Sequence, residues 1–442
     1  MPVPKDYSIK AIKDILKGKS LDEFTKKLKA RFPDKEPLPE RLPREVLLTE
    51  DAQEQRIRIL EKTGVKFQFV NGKKHIEDFS IFRGNIENFI GLAQIPIGII
   101  GPLRINGLYA YGDFYVPLAT TEGALVASYN RGAKIISFSG GAKVMCLHSR
   151  VSRAPGFAFN NLTEVGQFII WCVENFNKFQ KLAKTTTTHG NLEDIKITIE
   201  GNQVYINFEY TTGDAAGQNM VTIATEQVCK YIMAKAPIKP RFYFIESNMS
   251  GDKKATALSY LFVRGKKVTA EIIIPRGIFM KFLHTTPEMM MEYWKMSFVG
   301  GVQSGSIGIQ GHYANGLAAL FIACGQDVAC VSEAAMGITR VDIVQKGDLY
   351  ISVTLPNLIV GTVGGGTGLP TQSECLALLG CKGQGSAKKF AEICTATVLA
   401  GEISIMGALA AGQFTQAHLL YGRKKKDAKH KGKPNRKHRK KG

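Results

Sequence analysis

Between residues 156 and 245 the hydrophobic pattern alternates between helical and strand-like periods, and the order of those segments constrains the fold more than any other feature. LTEVGQFIIWCVENFNKFQKLA carries apolar residues at helical spacing. DIKITIE and QVYINFEY alternate apolar with polar residues, and a Gly201-Asn202 turn separates them, which predicts a hairpin. MVTIATEQVCKYIMAKA is helical again and RFYFIES is strand-like. The order is strand, helix, strand, strand, helix, strand, that of the ferredoxin-like split βαβ unit.

The flanking sequence differs. Residues 1–88 are charged and helix-patterned in SIKAIKDILKG and SLDEFTKKLKARF, with Ser20 as an N-cap. A second helix is expected from near Thr49, after the prolines at 33, 37, 39 and 43. From Phe89 the chain becomes apolar and rich in glycine. Residues 121–138 predict a helix, as do a segment starting at Pro287 and GEISIMGALAAGQFTQAHLL over 401–420. KKVTAEIIIP and LYISVTLP read as strands. The apolar run FIGLAQIPIGIIGPL is short and interrupted by Gln94, Pro96 and Pro102, so it does not read as a membrane span. No signal peptide is evident at the N-terminus.

Charge and cysteine content narrow the classes further. The net charge is +20, but twelve Lys/Arg and one acid fall in Arg423–Gly442, which leaves about +9 on the other 422 residues. The tail is low-complexity and expected to be disordered. It reads first as a solubilising terminus and second as a contact for an anionic surface such as RNA or acidic lipid. The eight cysteines form no C-x-x-C pair and sit mostly in apolar runs, which predicts reduced, buried thiols and a cytoplasmic protein.

Four segments set a titratable residue among glycines and small residues: Thr120-Thr121-Glu122-Gly123, Gly251-Asp252-Lys253-Lys254, Gly325-Gln326-Asp327, and the stretch ending at His418. A lysine that stabilises an oxyanion, a carboxyl that donates a proton, a second carboxylate that tunes both, and a histidine near neutral pKa are the parts for reducing a carbonyl. Each alone is more often structural. Three glycine-rich segments are candidates for close approach to a nucleotide: Gly213–Met220, Gly361–Thr367 and the segment from Ser297 to Gly311. None has G-x-G-x-x-G in strand–turn–helix context, so a Rossmann fold is not supported.

Taken together, these segments resemble the catalytic portion of the 3-hydroxy-3-methylglutaryl-CoA (HMG-CoA) reductase family, in the class that includes eukaryotic and archaeal enzymes and without the membrane anchor. The carrying segments are ENFIG at 87–91, PLATTEGALVASYNRG, GDAAGQNM, DKKATA, GSIGIQGHYAN, IACGQD, DLYISVTLPNLIVGTVGGGT and GEISIMGALAAGQFTQAH, in that order over about 85–423. The resemblance implies an α/β (α+β) multi-domain fold: a helical N-terminal region at 1–88, a large substrate and CoA domain at 89–154 and 247–423 around a central helix, an inserted ferredoxin-like dinucleotide domain at 155–246, and a basic tail at 424–442. It implies four-electron reduction of HMG-CoA to mevalonate, in isoprenoid biosynthesis, with NADPH expected, NADH open and coenzyme A as product. It also implies a homodimer or larger assembly.

The implied roles fall on matching residues. Lys253 holds the thioester oxygen, Glu122 donates the proton to the aldehyde, Asp327 links them, and His418 protonates the departing CoA thiolate. Arg153, Asp252 and Lys254 contact the acyl group. Ser128, Asn130, Arg131, His312 and Asn315 line the substrate side. Asp214, Gln218, Asn219, Thr187, Thr188, Gly364 and Gly365 serve the dinucleotide. No metal is implied.

Several positions depart from the family pattern. Met296 stands where a substrate-binding lysine is usual, with Lys295 adjacent; Glu246 stands where a serine is usual; and Gln413 replaces a common histidine. Thr187-Thr188-His189 offers no arginine for a 2′-phosphate, and Lys424 stands where animal enzymes carry a regulatory serine. Two other functions stay open at this point, a reductase of another acyl-CoA and a non-catalytic basic binding protein.

Overall fold

The computed structural model describes residues 12–13, 15–16, 20–43, 47–413 and 415. Most of the first expected helix, His418 and the basic tail lie outside the described residues. Ser20 caps the helix Leu21–Lys27 through a capping box with Glu23, and Thr49 caps Glu50–Glu61 by accepting from the Ala52 N–H.

Ten strands follow in chain order: β1 Ile97–Gly107, β2 Tyr111–Ala119, β3 Ala142–Arg153, β4 Gly156–Ala158, β5 Asn191–Glu200, β6 Gln203–Thr211, β7 Phe242–Phe244, β8 Gly265–Ile274, β9 Ile338–Ile343 and β10 Leu349–Leu358. They form one connected sheet that divides along β3. Its Lys143–Arg150 stretch pairs with β8, while Val151–Arg153 pairs with β6. On one side lie β1, β2, β8, β9 and β10. On the other, β5, β6, β4 and β7 form a small antiparallel sheet. Numbered within this unit, the order across the sheet is fourth, first, third, second, the ferredoxin-like arrangement. Helices Leu162–Glu174, Phe176–Lys184 and Gln218–Lys235 belong to it, and the Gly201-Asn202 turn joins β5 to β6 as expected.

The large unit is built around the helix Ala387–Ala410, most of whose residues are fully buried. Among the described residues it alone is long and apolar enough to cross a membrane, and it is enclosed by protein instead. It starts well before the expected 401 and stops at Ala410, with Gly412 at φ 67°. The helix Leu125–Phe138 packs across it and starts later than the expected 121, because Ala124 takes a left-handed conformation. The helix from Pro287 extends to Gln303. The hairpin β1–β2 and strand β3 carry no clear alternating pattern, since both faces of much of each are covered.

Close approach of the two long helices requires glycine. A Cβ on Gly132 would stand 1.8 Å from the Ala400 carbonyl oxygen. Gly132→Ala is therefore expected to destabilise the fold by about 3 kcal/mol, read as a shift in the urea unfolding midpoint at unchanged slope.

His148 lies at the irregularity where β3 pairs with β8. Burial pushes its pKa down to about 3, and Arg150, Lys196, Lys267 and Lys388 push the same way. The unfolded chain binds a proton below about pH 6.5 that the folded chain does not accept until near pH 3. Stability therefore falls as pH drops through that window, by up to about 1.4 kcal/mol per pH unit from this residue. Urea unfolding of His148→Gln is expected to show a shallower acid limb than that of the parent chain.

Candidate active site

The expected catalytic lysine is set by a buried ion-pair network. Arg264 and Glu333 are fully buried, and Arg264 Nη1 donates to both Glu333 oxygens at 2.5 and 2.7 Å. Glu333 also accepts the Lys253 backbone N–H at 3.2 Å. Burial raises the Glu333 pKa, opposed by the Arg264 charge and hydrogen bonds. This contact holds Lys253 at φ 56°, a left-handed conformation that costs energy outside glycine. Arg264 Nη2 lies 2.8 Å from Asp252 Oδ1, so both neighbours in the loop are anchored.

From there the Lys253 ammonium reaches Asp327 Oδ2 at 2.9 Å. Asp327 holds the lysine above its ordinary pKa, so the cation persists at neutral pH. Asp327 is fixed in turn by accepting from the Ala329 N–H. Lys254 turns back to the Asp252 carbonyl. Arg153 Nη1 sits between Glu246 Oε2 at 2.8 Å and Asp252 Oδ2 at 3.1 Å.

The glycine loops meet beside this dyad. A Cβ on Gly325 would stand 2.2 Å from the Gly366 carbonyl, so the loop before Asp327 packs directly on 364–366. Thr362 N–H donates to the Asp214 carbonyl, and Ala215 bridges to Val363. Gln218 Nε2 reaches Cys330 Sγ at 2.8 Å. The Asp214 carboxylate is turned inward, where it accepts from the Gly385 and Ala387 N–H groups and caps the central helix. Gly364 and Gly365 have φ 77° and 53° with open space where a Cβ would stand, and the helix Gln218–Lys235 starts at Gly217 without a side-chain cap. Uncapped backbone N–H groups at a helix start, beside glycines with no Cβ in the way, can receive an anionic group. Asn219 and Thr188 are exposed, and Thr187 lies against Met220 Sδ. The third glycine-rich segment forms the end of the helix Pro287–Gln303 and a turn that bridges to β9 at Ile309 and Ile338.

A separate cleft of about 660 Å³ collects Glu122, Ser128, Asn130, Arg131, His312 and Asn315. Asn315 Nδ2 donates to both Glu122 oxygens at 3.2 and 3.0 Å. Ser128 bonds Ser404, and Arg131 donates to the Ser404 hydroxyl and carbonyl. Asn130 accepts from the Gly101 N–H. Glu402, buried in the central helix, accepts from Gly311 and His312 N–H and so places the His312–Asn315 turn.

The structure thus makes two groups, one around Lys253 and Asp327 and one around Glu122. The helix Tyr313–Ala323, about 16 Å long, separates them along the chain, with Asn315 in its first turn and Asp327 beyond its last. Sequence reasoning missed Arg264, Glu333 and Glu402. Glu402 had a legible signal, an acid set among apolar residues in GEISIMGALAA, which must find partners when buried.

The sequence profile described as hydroxymethylglutaryl-coenzyme A reductase matches residues 52–423. The chain is 45% identical over 381 residues to the 3-hydroxy-3-methylglutaryl-coenzyme A reductase of Pyrococcus abyssi, covering 84% of this chain and 93% of the relative. It is 44% identical over 375 residues to that of Methanocaldococcus jannaschii, covering 83% and 91%. The fold is similar to the class II 3-hydroxy-3-methylglutaryl-CoA reductase of Streptococcus pneumoniae, solved bound to NADPH in open conformations, with TM-score 0.64, 19% identity, and 80% and 96% of the two chains covered.

Removing one partner of the buried pair leaves an uncompensated charge. Glu333→Ala is expected to lower stability by about 3 kcal/mol, measured by urea unfolding.

Proposed function

The chain belongs to the hydroxymethylglutaryl-coenzyme A reductase family, and from that premise we propose how its residues carry out the family's reaction. HMG-CoA takes up two hydrides and two protons, with two NADPH as donors, and yields mevalonate, CoA and two NADP⁺. The observation that carries the assignment of roles is the Lys253–Asp327 pair at 2.9 Å where the glycine loops meet. NADPH, named for the pneumococcal relative, supplies hydride; the open glycines at 364 and 365 suit its phosphates.

Lys253 holds the thioester oxygen as it becomes anionic, and Asp327 keeps the ammonium charged and aimed. Collapse of the hemithioacetal breaks the C–S bond, and His418 gives the departing thiolate its proton. Glu122, oriented by Asn315, gives a proton to the aldehyde oxygen during the second reduction. Arg153 and Asp252 receive the acyl end, and the cleft of Ser128, Asn130 and Arg131 receives CoA.

Two copies complete the site in this reading. Asn315, which holds Glu122, and Asp327, which holds Lys253, flank opposite ends of the helix Tyr313–Ala323, so Glu122 of one copy serves Lys253 of the other. Met296, Val299 and Val302 lie exposed on the helix Pro287–Gln303, and Ile90 in ENFIG is fully exposed, which supports burial against a second copy. Eight free, buried cysteines support a cytoplasmic site of action.

Lys253→Ala and Glu122→Gln are each expected to lower kcat by about 100-fold or more, followed as HMG-CoA-dependent loss of the nicotinamide absorbance. Coexpressing the two inactive variants is expected to restore part of the activity, because a mixed dimer holds one intact site. An active Lys253→Ala enzyme would refute the assigned role, and failure of mixing to restore activity would refute the shared site.

A further inference from the structure

The helix Leu162–Glu174 of the small unit is apolar on two sides. Val165, Phe168 and Cys172 are buried, with Phe168 packed on Phe157 of β4. Leu162, Ile170 and Val173 are 65%, 62% and 58% exposed. Steps of eight and then three residues bring these three side chains to one side of the helix, away from the sheet. The chain turns at Asn175 directly into the helix Phe176–Lys184, whose Phe179 and Ala183 are buried. Its Lys178, Lys181 and Lys184 are exposed. The outer side of the two consecutive helices is therefore aliphatic in its first half and cationic in its second. Lys178 stands over the Tyr231 ring of the helix Gln218–Lys235, where Lys230 is exposed as well. Of the neighbouring acids, Glu164 is held by Asn160 and Asn161, and Glu226 lies 3.7 Å from Lys230. Glu174 stands where the two halves meet, four residues before Lys178.

Folding of the small unit uses the inner side of these helices and leaves the outer aliphatic side in water. Single exposed aliphatic residues are ordinary, whereas three aligned on one helix and continued by a row of lysines form a surface with a partner. We propose that this outer face is a peripheral docking surface for an anionic lipid bilayer. Leu162, Ile170 and Val173 reach below the headgroups, and Lys178, Lys181 and Lys184 meet the lipid phosphates and carboxylates. Charge complementarity selects this occupant. The aliphatic half gains by leaving water, and each lysine keeps its ammonium at headgroup level while its methylene stem lies along the apolar boundary. Neither half is strong alone, and the two signals add. The net charge of +20 draws the whole chain toward the same negative surface. None of these residues belongs to the groups around Lys253 or Glu122, so docking and catalysis use separate surfaces.

The test is sedimentation of the full chain with vesicles of phosphatidylcholine alone and of phosphatidylcholine and phosphatidylserine in equal parts. The chain is expected to sediment with the mixed vesicles, to be released as salt is raised, and to stay in solution with phosphatidylcholine alone. Ile170→Gln combined with Val173→Gln leaves every charge in place. This variant is expected to bind the mixed vesicles about tenfold more weakly, with its HMG-CoA-dependent oxidation of NADPH unchanged. Lys178→Glu combined with Lys181→Glu is expected to weaken binding by about tenfold or more. All four positions are exposed, and an unchanged urea midpoint checks that both variants fold. Equal binding by the parent chain and the Ile170/Val173 variant would mean that the basic tail or another cationic surface acts alone, and overturns the proposal. Failure of the parent chain to bind the mixed vesicles overturns it as well. A mass by light scattering that falls from the parent chain to the Ile170/Val173 variant would assign the stripe to a second copy. Binding of single-stranded RNA in place of the vesicles, lost in both variants, would assign it to nucleic acid. Either result overturns the lipid assignment and leaves the reductase reading intact.

Discussion

The buried pair between Arg264 and Glu333 is the contact on which the loop geometry depends. Both side chains are out of water, so each charge is tolerated only because the other is present. Glu333 then uses its remaining acceptor capacity on the Lys253 N–H, and Arg264 uses its second nitrogen on Asp252. A three-residue loop that would otherwise be a solvated turn is thereby fixed at two successive positions. The left-handed φ of Lys253 is the visible cost, offset by the buried network that imposes it.

The central helix performs a second positioning task. Its buried acids are spaced along one element and each gathers backbone N–H groups from a different loop. Glu392 accepts from Tyr109, Ala110 and Cys146, and burial raises its pKa to about 7 against the pull of those bonds. Glu402 does the same for Gly311 and His312. The helix start is capped from a distance by Asp214, which ties the glycine loop of the small unit to the core of the large one. An apolar helix with acids inside is thus a scaffold that orders polar loops from within.

What was legible in the sequence follows from the range of the interactions involved. The capping box at Ser20 and the Gly201-Asn202 hairpin rest on residues a few positions apart, and their patterns are local. The start of the central helix at Ala387 was not legible, because Ser386 gives no side-chain cap and the capping carboxylate lies 173 residues away from Ala387. Strands β1 to β3 were hidden for a related reason. Gly98, Gly101 and Pro102 interrupt β1, and cover on both faces removes the alternation that marks a strand. The motif segments carrying Glu122, Lys253 and Asp327 were recognisable as chemistry-bearing, yet the Arg264–Glu333 pair that sets Lys253 joins residues 69 apart and leaves no periodic trace.

The chain crosses between its two units at two points, the end of β3 through Arg153 to Gly156 and the segment from Phe244 to Ser247. Ser247 ties the crossings together by donating its N–H and hydroxyl to the Ala154 carbonyl. The Arg153–Glu246 pair spans the same two crossings one residue away on each. A rotation of the small unit against the large one would bend the backbone at these points and therefore act directly on that ion pair. The dinucleotide loop reaches the large unit through separate contacts at Asp214 and Gln218. The first route reaches Asp252, beside Lys253, through Arg153, and the second reaches Cys330, three residues past Asp327, through Gln218.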